Sequence, residues 1–322
     1  MPPQISGSSS ARVLISALAL SLMGLLGACG GGSGGGSGGG SLTPASFTSW
    51  DALPTGQPVN INGMSVTRDA GGTVTSDNTA ASRASVLYNS RSTGGLRGFS
   101  YTTPSTSASW TLSSGSTISC GNGVCALSNP GQTVIAAISD PYHASTVWNY
   151  QSFGVWSVAN GSVSGMSYGA PTAFSALPTS LSATYTGELI GRYSAATGDV
   201  MNGATLPGAM QFGLRANVTA NVTISGGTRQ IDFSSTNSRL ESGIFPEFND
   251  NRFNIPSATL TISGTTNSFT GAITSGSGDN GVTMTGTANG RFYGPTAQEL
   301  GGTFVLEGAD NRAVVGAFGA KR

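Results

Sequence analysis

The chain has 322 residues, equal numbers of basic and acidic side chains (14 each), only 9% charged residues and 49 glycines. A near-neutral chain argues against a nucleic-acid partner, because phosphate binding needs a basic patch. The scarcity of charge excludes an ordinary soluble helical protein and points to an exported, turn-rich, all-β chain.

Residues 1–28 read as an export signal and do not belong to the fold. Arg12 precedes an apolar run, Val13 to Leu26, which is too short for a comfortable membrane span and ends in small residues. Leu26-Gly27-Ala28-Cys29 matches the bacterial lipobox, so cleavage before Cys29 and lipidation of its sulfur are expected. The alternative is an ordinary signal peptide that contains a cysteine. Gly30 to Ser41 is glycine and serine alone, a flexible coil with a root-mean-square reach of roughly 20 Å. Residues 29–45 therefore form a lipidated tether. No aspartate follows Cys29, which favours the outer over the inner membrane.

From residue 46 to about 180 the chain predicts a β-rich domain of short strands: Val59–Met64, Ser85–Tyr88, Ser109–Leu112, Val134–Ile138 and Gly154–Val158. Within it, Cys120-Gly-Asn-Gly-Val-Cys125 predicts a tight hairpin closed by a disulfide. A zinc site is the sharper alternative, but it needs further ligands and His143 is the only histidine. His143 lies in the turn-like run Asp140-Pro-Tyr-His-Ala. It is the one candidate haem ligand, against the simpler reading of a solvent-facing loop histidine. Trp148, Tyr150, Trp156 and Tyr168 cluster towards the end of this domain, where packing between domains is the commoner use of aromatics and ligand binding the other. The run Ala170 to Pro178, punctuated by prolines, reads as a connector.

Residues 181–322 alternate apolar and polar side chains with a period of two. In Met210–Ile224 every even position is apolar and every odd one is polar or glycine. Ala183–Tyr193, Arg229–Ser234, Ala258–Ser263, Phe269–Thr274, Val282–Phe292, Thr303–Glu307 and Ala313–Ala320 complete eight candidate strands with short connections. The expectation is an antiparallel up-and-down β-barrel filled by side chains. Gly187, Gly191, Gly286, Gly290 and Gly316 on the apolar faces suit its narrow interior. A period of two does not say which face points inward, so a membrane-spanning barrel is the alternative. No catalytic motif is present: one histidine leaves little room for a triad, and the acids are scattered. The chain is expected not to be an enzyme.

Three stretches resemble the transferrin-binding protein B-like surface lipoproteins. They are Tyr150-Gln-Ser-Phe-Gly-Val-Trp156, Ala183-Thr-Tyr-Thr-Gly-Glu-Leu-Ile-Gly-Arg-Tyr193, and Gly290-Arg-Phe-Tyr-Gly-Pro-Thr-Ala-Gln-Glu-Leu-Gly-Gly-Thr-Phe304 followed by Gly316-Ala-Phe-Gly-Ala-Lys321. The resemblance implies a handle-like β domain packed on an eight-stranded barrel, lipid-anchored to the outer membrane and exposed at the cell surface. It also implies a non-enzymatic binding module that captures an iron source, either a host iron-carrying protein or haem. An outer-membrane receptor and a surface lipoprotein translocator are its implied partners. A structural envelope lipoprotein without a soluble ligand is the alternative function. Gly290–Phe304 falls between the sixth and seventh strands, with Phe292 and Phe304 on core positions, and its glycines and proline are expected to close the barrel.

Overall fold

The computed structural model describes residues 49–129, 132–242, 247–276 and 283–322. Cys29 and the Gly/Ser tether lie outside the described residues. Ten strands form the first sheet: β1 (Val59–Arg68), β2 (Val74–Asp77), β3 (Arg83–Tyr88), β4 (Leu96–Thr102), β5 (Ser107–Thr111), β6 (Thr117–Gly121), β7 (Val124–Asn129), β8 (Gln132–Ser139), β9 (Gln151–Ser157) and β10 (Val163–Gly169). Their order is β5-β4-β3-β1-β10-β9-β8-β7-β6, with β2 added alongside β1. The sheet curls until its ends nearly meet, where Asn129 on β7 donates its side-chain amide to the Ser109 carbonyl on β5. The sequence offers five strands here by example, and ten are present. Strands such as β2, Val-Thr-Ser-Asp with a single apolar side chain, carry no clean alternation to read.

Large aromatic rings fill this handle-like domain. Tyr101 and Trp156 stack with ring centroids 3.4 Å apart, and Phe99 lies against both Trp110 and Tyr168. Trp156 and Tyr168 are therefore core residues of the handle itself, and only Trp148 and Tyr150 reach towards the second domain.

The second sheet contains β11 (Leu181–Ala195), β14 (Met210–Ser225), β15 (Thr228–Glu241), β17 (Ala258–Ile262), β18 (Phe269–Thr274), β19 (Thr285–Tyr293), β20 (Glu299–Glu307) and β21 (Ala313–Lys321). The two-residue strands β12 (Val200–Met201), β13 (Ala204–Thr205) and β16 (Phe248–Asn249) decorate its ends. Neighbours in sequence pair antiparallel around the ring, and β21 returns to β11 in a register running from Thr186 opposite Lys321 to Ser194 opposite Ala313. The eight strands form a closed up-and-down barrel.

The apolar face points inward. Along β14 the even residues from Phe212 to Ile224 are buried and join the same core as Tyr185, Phe233, Phe269, Phe292, Phe304 and Phe318. The outward residues of this strand are Gln211, Gly213, Arg215, Asn217, Thr219, Asn221 and Thr223, so this wall lacks the apolar outer band of a spanning barrel. Among the described residues no helix is long and apolar enough to cross a membrane.

Interior glycines make room for rings. A Cβ on Gly290 would stand 2.2 Å from the Phe269 ring and 2.6 Å from the Gly301 carbonyl oxygen. A Cβ on Gly316 would meet the Phe304 ring at 2.6 Å, and one on Gly302 the Phe318 ring at 2.8 Å. Each phenylalanine thus lies over a glycine on a paired strand, and the small bore fills at interior packing density. On the outer wall, Ile190, Val305, Val315 and Ala317 leave the barrel core and join the handle core. There the two backbones approach so closely that a Cβ on Gly165 of β10 would lie 2.4 Å from the Gly316 oxygen.

Replacing Gly290 by valine forces the Phe269 ring out of its rotamer. By the usual cost of overpacking, it should destabilise the protein by about 2–3 kcal/mol in urea denaturation, with Gly290→Ala intermediate.

Candidate functional site

Between the end of β8 at Ser139 and the start of β9 at Gln151 the chain makes an eleven-residue excursion, residues 140–150. Asp140 starts it in the manner of an Asx turn, its Oδ1 accepting the Tyr142 N–H at 3.1 Å. The His143 carbonyl then accepts the N–H groups of Thr146 (3.0 Å) and Val147 (2.8 Å). Val147 sits at φ 34° and is 43% exposed. A β-branched residue in the left-handed region is uncommon and is held only when its surroundings over-determine it. Those surroundings are the disulfide hairpin on one side and two barrel side chains on the other.

The hairpin β6–β7 turns through Asn122 and Gly123, with φ 51° and 79°, as a type I′ turn requires. Cys120 and Cys125 face each other directly across it, with S–S 2.02 Å and Cα–Cα 3.9 Å. The disulfide expected from the spacing is present. The Asp140 carboxylate lies within 4.8 Å of both sulfurs, but these are bonded to one another and do not act as thiolate metal ligands. The hairpin tip supports the loop: the Gly123 carbonyl accepts the Asp140 N–H at 2.8 Å, and a Cβ on Gly123 would press on Thr146. Arg215 of the barrel holds the tip in turn, donating to the Asn122 carbonyl at 3.0 Å and to Glu188 at 2.9 Å.

The barrel grips the loop through Glu299 and Lys321, which are register partners on β20 and β21. Glu299 is 1% exposed, and its carboxylate accepts three consecutive backbone N–H groups: Asn149 at 2.7 Å, Tyr150 at 3.1 Å and Gln151 at 3.0 Å. Burial pushes the Glu299 carboxyl up to about 7, against the opposing pull of those N–H groups and of Lys321. Lys321 is the only lysine of the chain. Its ammonium donates to the Thr146 carbonyl at 2.6 Å and the Val147 carbonyl at 3.3 Å, and lies 5.9 Å from the Trp148 ring centroid. A groove of about 500 Å³ opens beside the loop, lined in part by Thr146, Trp148, Glu188, Asn217, Thr236 and Lys321.

The residues singled out in sequence meet here in part. Cys120, Cys125, His143, Trp148 and Tyr150 all belong to this loop or its supports, and Cys29 lies outside the described residues. His143 is half-buried; its Nδ1 pairs with the Ser145 hydroxyl at 2.7 Å and also accepts the Ser145 N–H at 3.3 Å. Both contacts reach the same nitrogen from two residues away, which is turn capping. The loop is held on both flanks, by the hairpin tip and by the barrel residues Glu299 and Lys321.

Sequence reasoning missed Glu299 and Lys321 as clamps, although both stand in the stretches that carry the family resemblance. The expectation that Gly290–Phe304 closes the barrel is corrected: closure runs through β21 and β11, and this stretch chiefly fastens the handle. Gly294 donates its N–H to the Ala170 carbonyl, and its own carbonyl accepts the Thr172 hydroxyl at 2.6 Å. Tyr293 Oη and Ser167 Oγ share a hydrogen bond of 2.8 Å. A Cβ on Gly301 would fall 1.9 Å from Gln151 Oε1, so glycine is needed for the handle to approach. Residue pattern showed that the backbone was special but not what approached it.

Residues 177–322 match the family model described as the C-lobe and N-lobe beta barrels of Tf-binding protein B. The likeness to that family is carried by the barrel, which makes up a little under half of the chain. Among solved structures it is similar to transferrin-binding protein B of Haemophilus parasuis Hp5 (a Trp-176-Ala mutant), at 18% identity, with a TM-score of 0.47 and coverage of 80% of this chain and 44% of that one. It is also similar to the isotype 1 protein of serogroup B Neisseria meningitidis, at 18% identity, with a TM-score of 0.43 and coverage of 82% and 43%. A structure titled only as a surface lipoprotein matches at 19% identity, with a TM-score of 0.35, covering 64% of this chain and 96% of that one. This chain spans less than half the length of the two transferrin-binding proteins. No curated protein matches its sequence.

Glu299→Ala leaves three backbone donors without their acceptor and should cost about 3 kcal/mol of stability by chemical denaturation. The pH dependence follows from the direction of the shift. With the carboxyl raised from 4.5 in the unfolded chain to about 7 in the fold, the folded state holds the proton more tightly. The stability of wild type relative to Glu299→Gln should be highest below about pH 4.5 and fall as pH rises towards 7, to the disadvantage of wild type, measured by melting temperature in a buffer series.

Proposed function

We propose that this protein is a surface-exposed lipoprotein of the outer membrane, anchored through Cys29 and its tether, and that it acts as a non-enzymatic binding module. In this reading residues 46–180 are the handle and 181–322 the barrel. The module captures an iron source, either a host iron-carrying protein or haem, and passes it to an outer-membrane receptor. A surface lipoprotein translocator delivers it to the outer leaflet. The observation that supports this most directly is the loop over residues 140–150. It is immobilised by Glu299, Lys321 and the disulfide hairpin, and it presents the strained, exposed Val147 beside a polar groove. A preorganised loop on a rigid scaffold is how a protein surface keeps the entropic cost of binding low. The barrel family and the names of the similar structures support the choice of an iron carrier.

The mature protein should bind at least one of iron-loaded transferrin, haemoglobin and haemin by biolayer interferometry, with Val147→Glu weakening the two protein complexes about tenfold. Absence of binding to all three, together with expression that ignores iron supply, would favour the structural envelope lipoprotein. A haem ligand role for His143 predicts a Soret shift that His143→Ala removes. Anchoring predicts palmitate incorporation that Cys29→Ser abolishes.

A further inference from the structure

A second cleft lies away from the loop, where the turn after β2 faces the barrel wall at β18 and β19. It has a volume of about 410 Å³, within the range of ordinary ligand sites. Met64, Phe269 and Gly290 contribute to its lining with the polar groups discussed below. A further space of about 350 Å³ continues it past Pro171 and Thr172, so the whole is elongated.

The chemistry of the lining is selective. Ser65, Ser76, Asn78 and Thr79 come from the handle, and Ser268, Thr270, Asn289 and Thr303 from the barrel. Asp77 is the one charged side chain. Its carboxylate is held below the usual range against the opposing effect of burial, by hydrogen bonds from the Ser82 and Thr79 hydroxyls and backbone N–H groups, so its bonding capacity is spent on its own turn. Arg291 borders the second space and donates to the Asn78 carbonyl. An anion finds no lysine, arginine or histidine in the main cleft, and a cation finds only a saturated carboxylate. An apolar ligand would strand the hydroxyls and amides that surround it. A neutral polyhydroxylated ligand, which donates and accepts in equal measure, satisfies them.

Two groups are set up for such a ligand. Thr270 donates its hydroxyl to Asn289 Oδ1 at 2.7 Å, which fixes the Asn289 amide and leaves its N–H groups to donate. Thr303, 1% exposed, lines the cleft with a hydroxyl oxygen that has no hydrogen-bond partner. A buried hydroxyl left unpaired is costly in the empty protein and is explained by a partner that arrives. We propose that this cleft binds a neutral saccharide, with Asn289 and Thr303 as its polar contacts. The proposal stands apart from the capture of an iron source, which uses the loop on another part of the surface.

The mature protein, applied to a printed array of neutral, sialylated and sulfated glycans, should retain neutral glycans in preference to acidic ones. For the strongest neutral glycan, calorimetry should give a Kd weakened about tenfold by Asn289→Ala and by Thr303→Val. Thr303→Val keeps the side-chain shape and removes the unpaired hydroxyl, so its melting temperature should stay level or rise while affinity falls. Retention of no neutral glycan, a preference for acidic glycans, or a Kd unaffected by both substitutions would overturn the proposal. Iron-carrier binding should be unchanged in both variants, which separates this site from the loop.

Discussion

Three consecutive backbone N–H groups at the entrance to β9 converge on the carboxylate of Glu299, and much of the molecule's arrangement depends on that contact. Leaving such donors buried without an acceptor would be unfavourable, and a single oxygen pair on the edge of the barrel satisfies all three. Because Glu299 stands directly opposite Lys321 in the sheet, the same edge also supplies a cation for the carbonyls of the preceding loop. One strand pair therefore reads both polarities of the handle backbone. At this edge the handle is fastened by its main chain, and side chains such as Gln151, Ser167 and Thr172 add to the hold.

The barrel can offer this rigid edge because its own interior is closed by shape. Phenylalanine rings lie over glycines on paired strands, as with Phe269 over Gly290 and Phe304 over Gly316. Neither the ring nor the glycine is replaceable alone, since a larger residue collides and a smaller ring leaves a void. On the outer wall glycine serves another purpose: at Gly301 and Gly319 the missing Cβ admits Gln151 and Phe153 of the handle. Interior packing and docking thus meet in the same short stretch of chain, which explains why its residues are so constrained.

The loop over residues 140–150 inherits its conformation from these constraints. Val147 remains in the left-handed region because its N–H is held by the His143 carbonyl, while its own carbonyl and that of Thr146 are both held by the Lys321 ammonium. The disulfide hairpin braces the other flank. Stability in this region is concentrated where a partner would need a preformed surface.

The sequence by itself determined the all-β class, the eight barrel strands and the pairing of Cys120 with Cys125. A period of two and a short Asn-Gly turn are local properties that the chain displays openly. It left several handle strands unread, because β2 has one apolar residue in four and β10 is buried on both faces, so neither alternates. Only the tertiary structure decided which face of the barrel looks inward, since alternation is symmetric between the two. Only it showed that Glu299 and Lys321 hold residues 146–151, 148 to 175 positions away along the chain. The cleft that brings Asn78 and Asn289 together was likewise invisible. Partners so distant in sequence leave no periodic trace, and a buried carboxylate looks like any other until the backbone that surrounds it is known.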